Sequence, residues 1–298
     1  MGIKTAGALK ALQYIKETTY GIVPAGQLLY GGKLQGLDAI NNYDLTAYGS
    51  DGSRTTSIVT YGKRESGFKA ELGIYRDSGA YSWTDLLELT LGEPSGIRGD
   101  IESFSTLVEA SPDQYYLYRG CKVNSLSLAG TGVGAPVMAS LDVLSMICDE
   151  PKATKAELMT NIDASIPALN PVTHNTYPIC SLSGGITIPA MSYNLTISNN
   201  LVQKEGIVNG KALKAGSLMY PGDLLGIQLE YTVPSTSLMW DRLKMSETSD
   251  FSVTQAIGGY NVIFGGCWMP GSDLPSRSQT DYDETLTVNA SNMTWVMI

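Results

Sequence analysis

The sequence is poor in the residues on which most metal and nucleophile chemistry depends. It contains a single histidine, His174, and four cysteines that show no CxxC pair and no metal-ligand spacing. Zinc sites and dithiol redox centres need such clusters. We therefore expect the thiols to be small buried groups in a reducing compartment. The cysteines are Cys121, Cys148, Cys180 and Cys267.

The residue patterns of an enzyme are missing as well. A nucleophile triad would have to use His174, which lies in a proline-rich stretch with no elbow motif nearby. The glycines of 130–134 lack the lysine and the following helix of a phosphate-binding loop, so they predict a turn between two strands. No pair of carboxylates stands out as a general acid and base. The sequence therefore predicts no catalytic residue, no cofactor and no metal.

Basic charge is scarce too. Lys and Arg number 20 against 29 Asp and Glu, the net charge is −9, and only 16% of residues are charged. Non-specific binding of nucleic acid depends on cations that neutralise phosphates, so this balance argues against such binding. No apolar run is long enough to span a membrane, and residues 1–20 lack the apolar segment of a signal peptide. We expect a soluble protein, made in the cytoplasm, with no membrane insertion.

Glycine, tyrosine and alternation of apolar and polar residues are what the sequence has in quantity. The 32 glycines and 17 tyrosines occur in short alternating runs separated by turn residues, which is typical of β structure. One such unit, over 115–143, is echoed over 260–290. Its Gly120-Cys121 pair returns as Gly266-Cys267, and 267 − 121 = 146 residues separate the two copies.

Two further landmarks recur in the same order. The segment 42–46 is answered by 192–196 at an offset of 195 − 45 = 150, and the helical signal of 85–89 is answered by 237–241 at about 152. Landmarks that repeat in one order at nearly one offset indicate a duplication. We predict a mainly β fold of two tandem antiparallel β-sandwich or barrel domains, each with a short helix.

Composition divides the chain into four parts. We predict an N-terminal arm and lead-in over 1–36, a first β domain over 37–150, a proline-rich junction over 151–180 and a second β domain over 181–298.

Several local patterns give finer expectations. Apolar residues at helical spacing predict a short helix over 8–16, and a brief helical segment is predicted over 154–159. A capping box over 82–85 predicts the start of the first domain's helix, which Gly92 ends. A change of apolar phase predicts a β-bulge near Asn124.

Two hairpins carry long polar tips. They span 47–66 and 199–216, and we expect both to project from their domains. In the strand beside each hairpin a glutamate alternates with apolar residues, so Glu71 and Glu230 are predicted to lie on the non-core face at similar places in the two copies.

Four segments resemble the tail tube proteins of tailed phages and related viruses, particularly the larger kind found in long-tailed virions. The resemblance extends from Glu17 to Ala290, and its third segment is the most specific. The segments are Glu17–Gly21, Asp85–Gly92, Tyr118–Leu128 and Leu195–Leu201.

This resemblance implies a structural subunit. Family members form rings whose sheets line a channel, and the rings stack into a tube around a tape-measure protein that genomic DNA later replaces. The implied partners are other copies of the chain, the tape-measure protein, the tail tip and terminator proteins, and double-stranded DNA that passes without sequence-specific binding. The implied location is the virion tail, with the host cytoplasm during assembly.

In such a tube, Glu71 and Glu230 would line the channel and repel phosphates. The hairpins and the N-terminal arm would become ordered when the next ring docks. Two modules per chain favour a trimeric ring with pseudo-sixfold symmetry, and a hexameric ring with the second domain outside is the alternative.

Two other hypotheses fit the composition. A glycan-binding or glycan-active β protein would show a cleft with converging carboxylates or exposed aromatics, and a glycan-array signal would support it. An outer-membrane β-barrel would share the glycine, the tyrosine and the alternation, but it needs a secretory signal and usually a terminal aromatic, whereas this sequence ends in Ile298. The tube hypothesis instead expects concentration-dependent rings or filaments without turnover.

Overall fold

A computed structural model describes most of the chain and confirms a mainly β fold. The described residues are 11–49, 56–78, 81–92, 101–111, 114–149, 152–164, 170–175, 178–180, 185–204, 207–208, 211–212, 218–220, 225–234, 251–270 and 283–298. No helix in this described part is long and apolar enough to cross a membrane.

Within the described residues the first half contains seven strands and the second half contains eleven. The strands of the first half are β1 (Leu12–Lys16), β2 (Leu29–Gly49), β3 (Thr56–Gly73), β4 (Phe104–Ser111), β5 (Gln114–Gly130), β6 (Val137–Leu144) and β7 (Ile147–Cys148). Those of the second half are β8 (Ile179–Cys180), β9 (Ile186–Thr187), β10 (Ser192–Ser198), β11 (Val202–Lys204), β12 (Ile207–Val208), β13 (Lys211–Ala212), β14 (Leu218–Tyr220), β15 (Gly226–Pro234), β16 (Phe251–Ile257), β17 (Tyr260–Trp268) and β18 (Asp283–Met297). Helix α1 (Asp85–Leu91) precedes β4, and a 3-10 helix (Lys155–Glu157) follows β7.

Six strands of the first half close into an antiparallel barrel. The order around the barrel is β1, β2, β3, β6, β5, β4 and back to β1. Alternate side chains of these strands point inward, and Phe68, Leu72, Leu126 and Val143 are fully buried there. The pairing of β1 with β4 closes the ring of strands, while β2 beyond Gly32 pairs only with β3 among the described residues.

The second half repeats the strand order of the first. In sequence β8, β10, β15, β16, β17 and β18 correspond to β1, β2, β3, β4, β5 and β6, and in space β10, β15, β18, β17, β16 and β8 are neighbours in that order. The same path in the first half runs β2, β3, β6, β5, β4, β1. Among the described residues β8 pairs with β9 and β16, and no pairing of β8 with β10 closes this half as β1 and β2 close the first.

One long strand joins the two halves. Along one edge, the first part of β5 pairs with β4. Along the same edge, its second part pairs with β10, where residues 125–130 pair with 193–198. The sheet therefore continues from the barrel into the second half, and buried residues of both halves form one apolar cluster.

The repeated Gly-Cys pair is a repeated β-bulge. Gly120 has φ 60° and Gly266 has φ 56°, a left-handed conformation that favours glycine. At each bulge the following cysteine faces a phenylalanine of the neighbouring strand, as Cys121 faces Phe104 and Cys267 faces Phe251. The predicted equivalence of these pairs is confirmed. A further bulge lies between Val123 and Ser125, as the phase change near Asn124 predicts.

The landmark at offset 150 was wrong. Leu45 pairs with Tyr61 in the distal part of the β2–β3 hairpin, where no third strand pairs with β3 among the described residues. Leu195 instead pairs with Leu229, whose other neighbour is Val288 in β18. The two segments therefore lie at different positions along their hairpins, the first in the distal part and the second where β15 also pairs with β18.

The predicted N-terminal helix was also wrong where the chain is described. Residues 12–16 form β1, which pairs with β2 on one side and β4 on the other. Leu12 and Tyr14 face the barrel interior, and Ile15 faces a second apolar cluster outside it. Pairing on both edges and burial on both faces outweigh the weak helical preference of a short segment. Residues 8–10 lie outside the described residues.

Helix α1 confirms the first helical prediction but not its capping box. It begins at Asp85, its N-cap Thr84 makes no side-chain cap, and it ends at Gly92, whose φ is 91°. Ser82 bonds Asp77 and Thr84 instead. The helical signal over 237–241 lies outside the described residues.

The junction covers the barrel from outside. Its predicted helical segment is a single 3-10 turn with a capping box between Thr154 and Glu157. Met159 packs with Ile15, Leu107 and Leu117 of β1, β4 and β5. The boundaries between the four predicted parts stay predictions.

Candidate functional surface

The four segments that carry the resemblance meet around the middle of β5. Glu17 is the first link, because its carboxylate accepts three hydrogen bonds. The Gly120 N–H donates to Oε1 (2.8 Å), the Ser105 hydroxyl donates to Oε1 (2.5 Å), and the Gly21 N–H donates to Oε2 (2.7 Å). The lead-in segment therefore holds the Gly-Cys bulge in place.

Arg119 fixes the same bulge from the other side. Its Nη1 donates to the Gly21 carbonyl (3.2 Å), and its Nη2 forms an ion pair with Asp149 (2.6 Å). A Cβ at Gly120 would lie 2.6 Å from the Met146 side chain, so no other residue fits there without displacement. The lead-in and the third segment thus act as one structural unit.

Asn199 ties the remaining two segments to this unit. Its Nδ2 donates to the carbonyls of Thr90 at the end of α1 (2.7 Å) and of Val123 in β5 (2.9 Å). Its backbone N–H donates to the Asn124 carbonyl (2.8 Å). Asn199 is 1% exposed, so it is a buried connector between the helix, the bulge and the second half.

Ionisable groups beside α1 serve packing in the same way. Tyr14 donates to Asp85 Oδ2 (3.2 Å), and burial together with that carboxylate raises the pKa of Tyr14 far above its ordinary range. Burial also raises the pKa of Asp85. The Lys16 Nζ lies 2.8 Å from Glu102 Oε2 and 3.3 Å from Glu88 Oε2, so Lys16 forms ion pairs with both carboxylates. The segments of the resemblance therefore carry fold-specific contacts.

Glu71 and Glu230 lie on one face of the continuous sheet. Glu71 is exposed and faces Ser140 of β6. Glu71 and Ser140 belong to a row of cross-strand neighbours that continues through Ser127 of β5 to Thr196 of β10. Glu230 is half-buried one row away. Four strand spacings separate β3 from β15, which is roughly 19 Å along the sheet.

We call this non-core side of β2, β3, β6, β5, β10, β15 and β18 the polar face. Its side chains are small and hydroxylic or amidic, and several bond each other across strands. The Ser127 hydroxyl donates to Asn194 Oδ1 (2.5 Å) across the junction between the halves, and the Ser192 hydroxyl donates to Thr232 Oγ1 (2.7 Å). Its charged residues with described side chains are the four carboxylates Asp38, Glu71, Asp142 and Glu230 and the three cations Lys33, Lys69 and Lys122. Carboxylates outnumber cations there.

The sequence placed the two glutamates on the correct side of their strands but missed the extent of the face. Alternation alone shows which side chains share a side of one strand. The pairing of β5 with β10, which makes the two halves one surface, has no local sequence signal.

His174 and three of the four cysteines lie in the core. His174 is 2% exposed, packs edge-on against Tyr193 with ring centroids 5.0 Å apart, and places Nε2 3.3 Å from the Ala190 carbonyl oxygen. Cys121, Cys148 and Cys267 are buried and form no disulfide. Within the described residues no group of three or more His, Cys, Asp or Glu could hold a metal ion.

These thiols should be unreactive in the folded chain. Burial raises the pKa of Cys121 well above its ordinary value, and the thiolate is the reactive form. We expect a chromogenic disulfide reagent to leave Cys121, Cys148 and Cys267 unmodified in native protein and to titrate all four cysteines in denaturant. The Cys180→Ser variant isolates the three, and rapid native modification of that variant would contradict their burial.

Comparison with known proteins gives one family. Residues 7–290 match the family model described as phage tail tube protein. No curated protein matches the chain.

Proposed function

Because the chain belongs to the phage tail tube protein family, we propose that it assembles into stacked rings forming the channel through which the genome is delivered. The family is structural and places the chain in a phage tail. The observation that carries the proposal is the polar face, a single surface that extends across both halves of the chain. A channel wall needs a broad, continuous surface of this kind.

The chemistry of the polar face suits a wall along which DNA slides. Small hydroxyl and amide side chains offer neutral hydrogen bonds, and the excess of carboxylates repels phosphates. Guanidinium clusters, which would hold phosphates by paired hydrogen bonds, do not occur on this face within the described registers. Glu71 and Glu230 are its proposed channel-lining carboxylates.

The repeat supports three copies per ring. β5 pairs with β10 within one chain, which joins one half to the next by strand pairing. If each ring contains six such halves, three chains complete it with pseudo-sixfold symmetry. We propose the trimer on this ground, with the division at 37–150 and 181–298 as its two modules. A hexamer with external second modules is the alternative.

The proposed partners follow from the tube. The rings would enclose a tape-measure protein and later double-stranded DNA, and the tube would end on tail tip and terminator proteins. Assembly in the host cytoplasm would precede incorporation into the virion tail. The hairpins over 47–66 and 199–216 and the N-terminal arm are the proposed contacts between stacked rings.

Electron microscopy of negatively stained protein over a concentration series tests the proposal. We expect annular particles or hollow tubes of uniform width that increase with concentration, and threefold or sixfold averages decide the stoichiometry. The same preparations should show no glycan-array signal. Persistent monomers that bind glycans would contradict the tube and favour the glycan-binding hypothesis.

A further inference from the structure

We propose that the seam between copies in a ring repeats the seam between the two halves of one chain, with Trp268 packed against the β2–β3 hairpin of a second copy. This inference rests on the proposed ring assembly. It names the edge and the side chain that each copy contributes.

The seam inside the chain has two parts. Beyond its Gly-Cys bulge, β5 pairs with β10 over residues 125–130 and 193–198. At the start of that stretch Lys122, the residue after Cys121, reaches the distal ribbon of the second half, and its Nζ donates to the Met219 carbonyl in β14 (3.4 Å). The first half therefore contacts the first hairpin of the second half at two places, at its base in β10 and at its distal ribbon in β14.

Trp268 occupies the position of Lys122 in the second half. Both residues directly follow the cysteine of a bulge in which that cysteine faces a phenylalanine. Strand order makes β17 the counterpart of β5. Lys122 contacts the ribbon of the half that follows its own, so Trp268 should contact the ribbon of the half that follows the second one. That half is the first half of another copy, and its ribbon is the distal part of the β2–β3 hairpin.

In a second copy the counterpart edge belongs to β2, and part of it has no paired strand among the described residues. β2 is the counterpart of β10, and it pairs with β1 only as far as Gly32. From Lys33 to Ile40 it pairs with β3 on one side, and no strand pairs with its other side in the part of the chain that the structure describes. The counterpart edge of β10 is the one that β5 covers. An open edge of this length invites strand addition.

The exposure of Trp268 is the second sign of a missing neighbour. Its side chain is 41% exposed, whereas Trp83 is fully buried. Tryptophan is among the residues that most often dominate binding energy at the centre of protein interfaces. Trp268 lies at the end of β17, where the second half would meet the next half of a ring. A second copy of the chain is therefore the partner that we expect to cover its side chain.

Sedimentation velocity on the full chain tests the seam. We expect Trp268→Ala to weaken association by about 30-fold or more, the usual effect of removing an aromatic hot spot, with an unchanged melting temperature. Trp268→Phe should restore most of the association. Val133→Ala is the matched control, because Val133 is 64% exposed in the β5–β6 turn and lies outside the proposed seam.

Hydrogen exchange supplies the second readout. On assembly, amides of 33–40 should gain protection, while those of 193–198, already paired within the chain, should change little. If wild-type rings form and Trp268→Ala forms them equally well, or 33–40 gains no protection, the seam is wrong and the ring proposal stands. If the wild-type chain shows no self-association at any concentration, the ring proposal fails and the seam fails with it.

Discussion

Replacing Asn199 with aspartate is expected to destabilise the folded chain by about 3–5 kcal/mol, the largest loss we predict for a single polar substitution. The Asn199 amide donates to the carbonyls of Thr90 and Val123 from a site that is 1% exposed. Aspartate has the same shape, but its carboxylate donates nothing and faces two carbonyl oxygens. Urea denaturation should show a lower midpoint with an unchanged slope.

The pH dependence separates lost hydrogen bonds from lost packing. Burial raises the folded-state pKa of the introduced carboxyl, so the folded state binds the extra proton and stability falls as pH rises through that pKa. The loss should therefore be complete at neutral pH and should shrink as pH falls toward about 3.9, the unfolded value. Asn199→Ala should lack this recovery.

Asn175→Asp is the matched control. Asn175 is exposed, and its Nδ2 bonds the hydroxyl of Thr173, so the same substitution should change stability by less than about 0.5 kcal/mol. Equal losses for the two variants would show that the buried connection of Asn199 is not a special one.

The repeat could be predicted from the sequence wherever it depends on local backbone geometry. Gly120 and Gly266 are needed for a left-handed bulge, and each is followed by a cysteine small enough to lie in the core. That requirement is local, so it leaves a dipeptide that can be recognised. The bulge near Asn124 could be found for the same reason, because it shifts the apolar alternation by one residue.

Features that depend on distant partners could not be predicted. Nothing in residues 12–16 indicates that β2 and β4 will cover both edges, so apolar spacing favoured a helix. Glu17 could be recognised as part of a motif, but its bond to Gly120 spans 103 residues. Asn199 likewise gave no sign of its bonds to α1 and β5. In a fold of long-range antiparallel pairs, such contacts fix the arrangement of elements that local patterns only identify.

Reversing both polar-face glutamates is expected to leave the fold intact and to impair genome delivery. Glu71 is exposed and Glu230 is half-buried, so the Glu71→Lys/Glu230→Lys variant should keep the wild-type melting temperature within a few degrees. Each reversal changes the charge by two, so the net charge of each chain rises by four, and this change occurs in every copy of the ring. Lysines in a narrow channel attract phosphates and slow the passage of DNA.

Infectivity and ejection kinetics measure this effect in phage particles assembled from the variant. We expect a loss in infectivity on the order of tenfold or more, with normal tube morphology, because charge in a confined channel alters rates by at least that factor. The Glu71→Gln/Glu230→Gln variant, which removes charge without reversing it, should lose less. Asp163→Lys is the positional control, since Asp163 is an exposed residue of the junction, outside the polar face, and its carboxylate forms a surface ion pair with Lys155. Unchanged delivery by the double lysine variant would remove Glu71 and Glu230 from the channel wall, and an equal loss in Asp163→Lys would show that charge acts elsewhere in the tail.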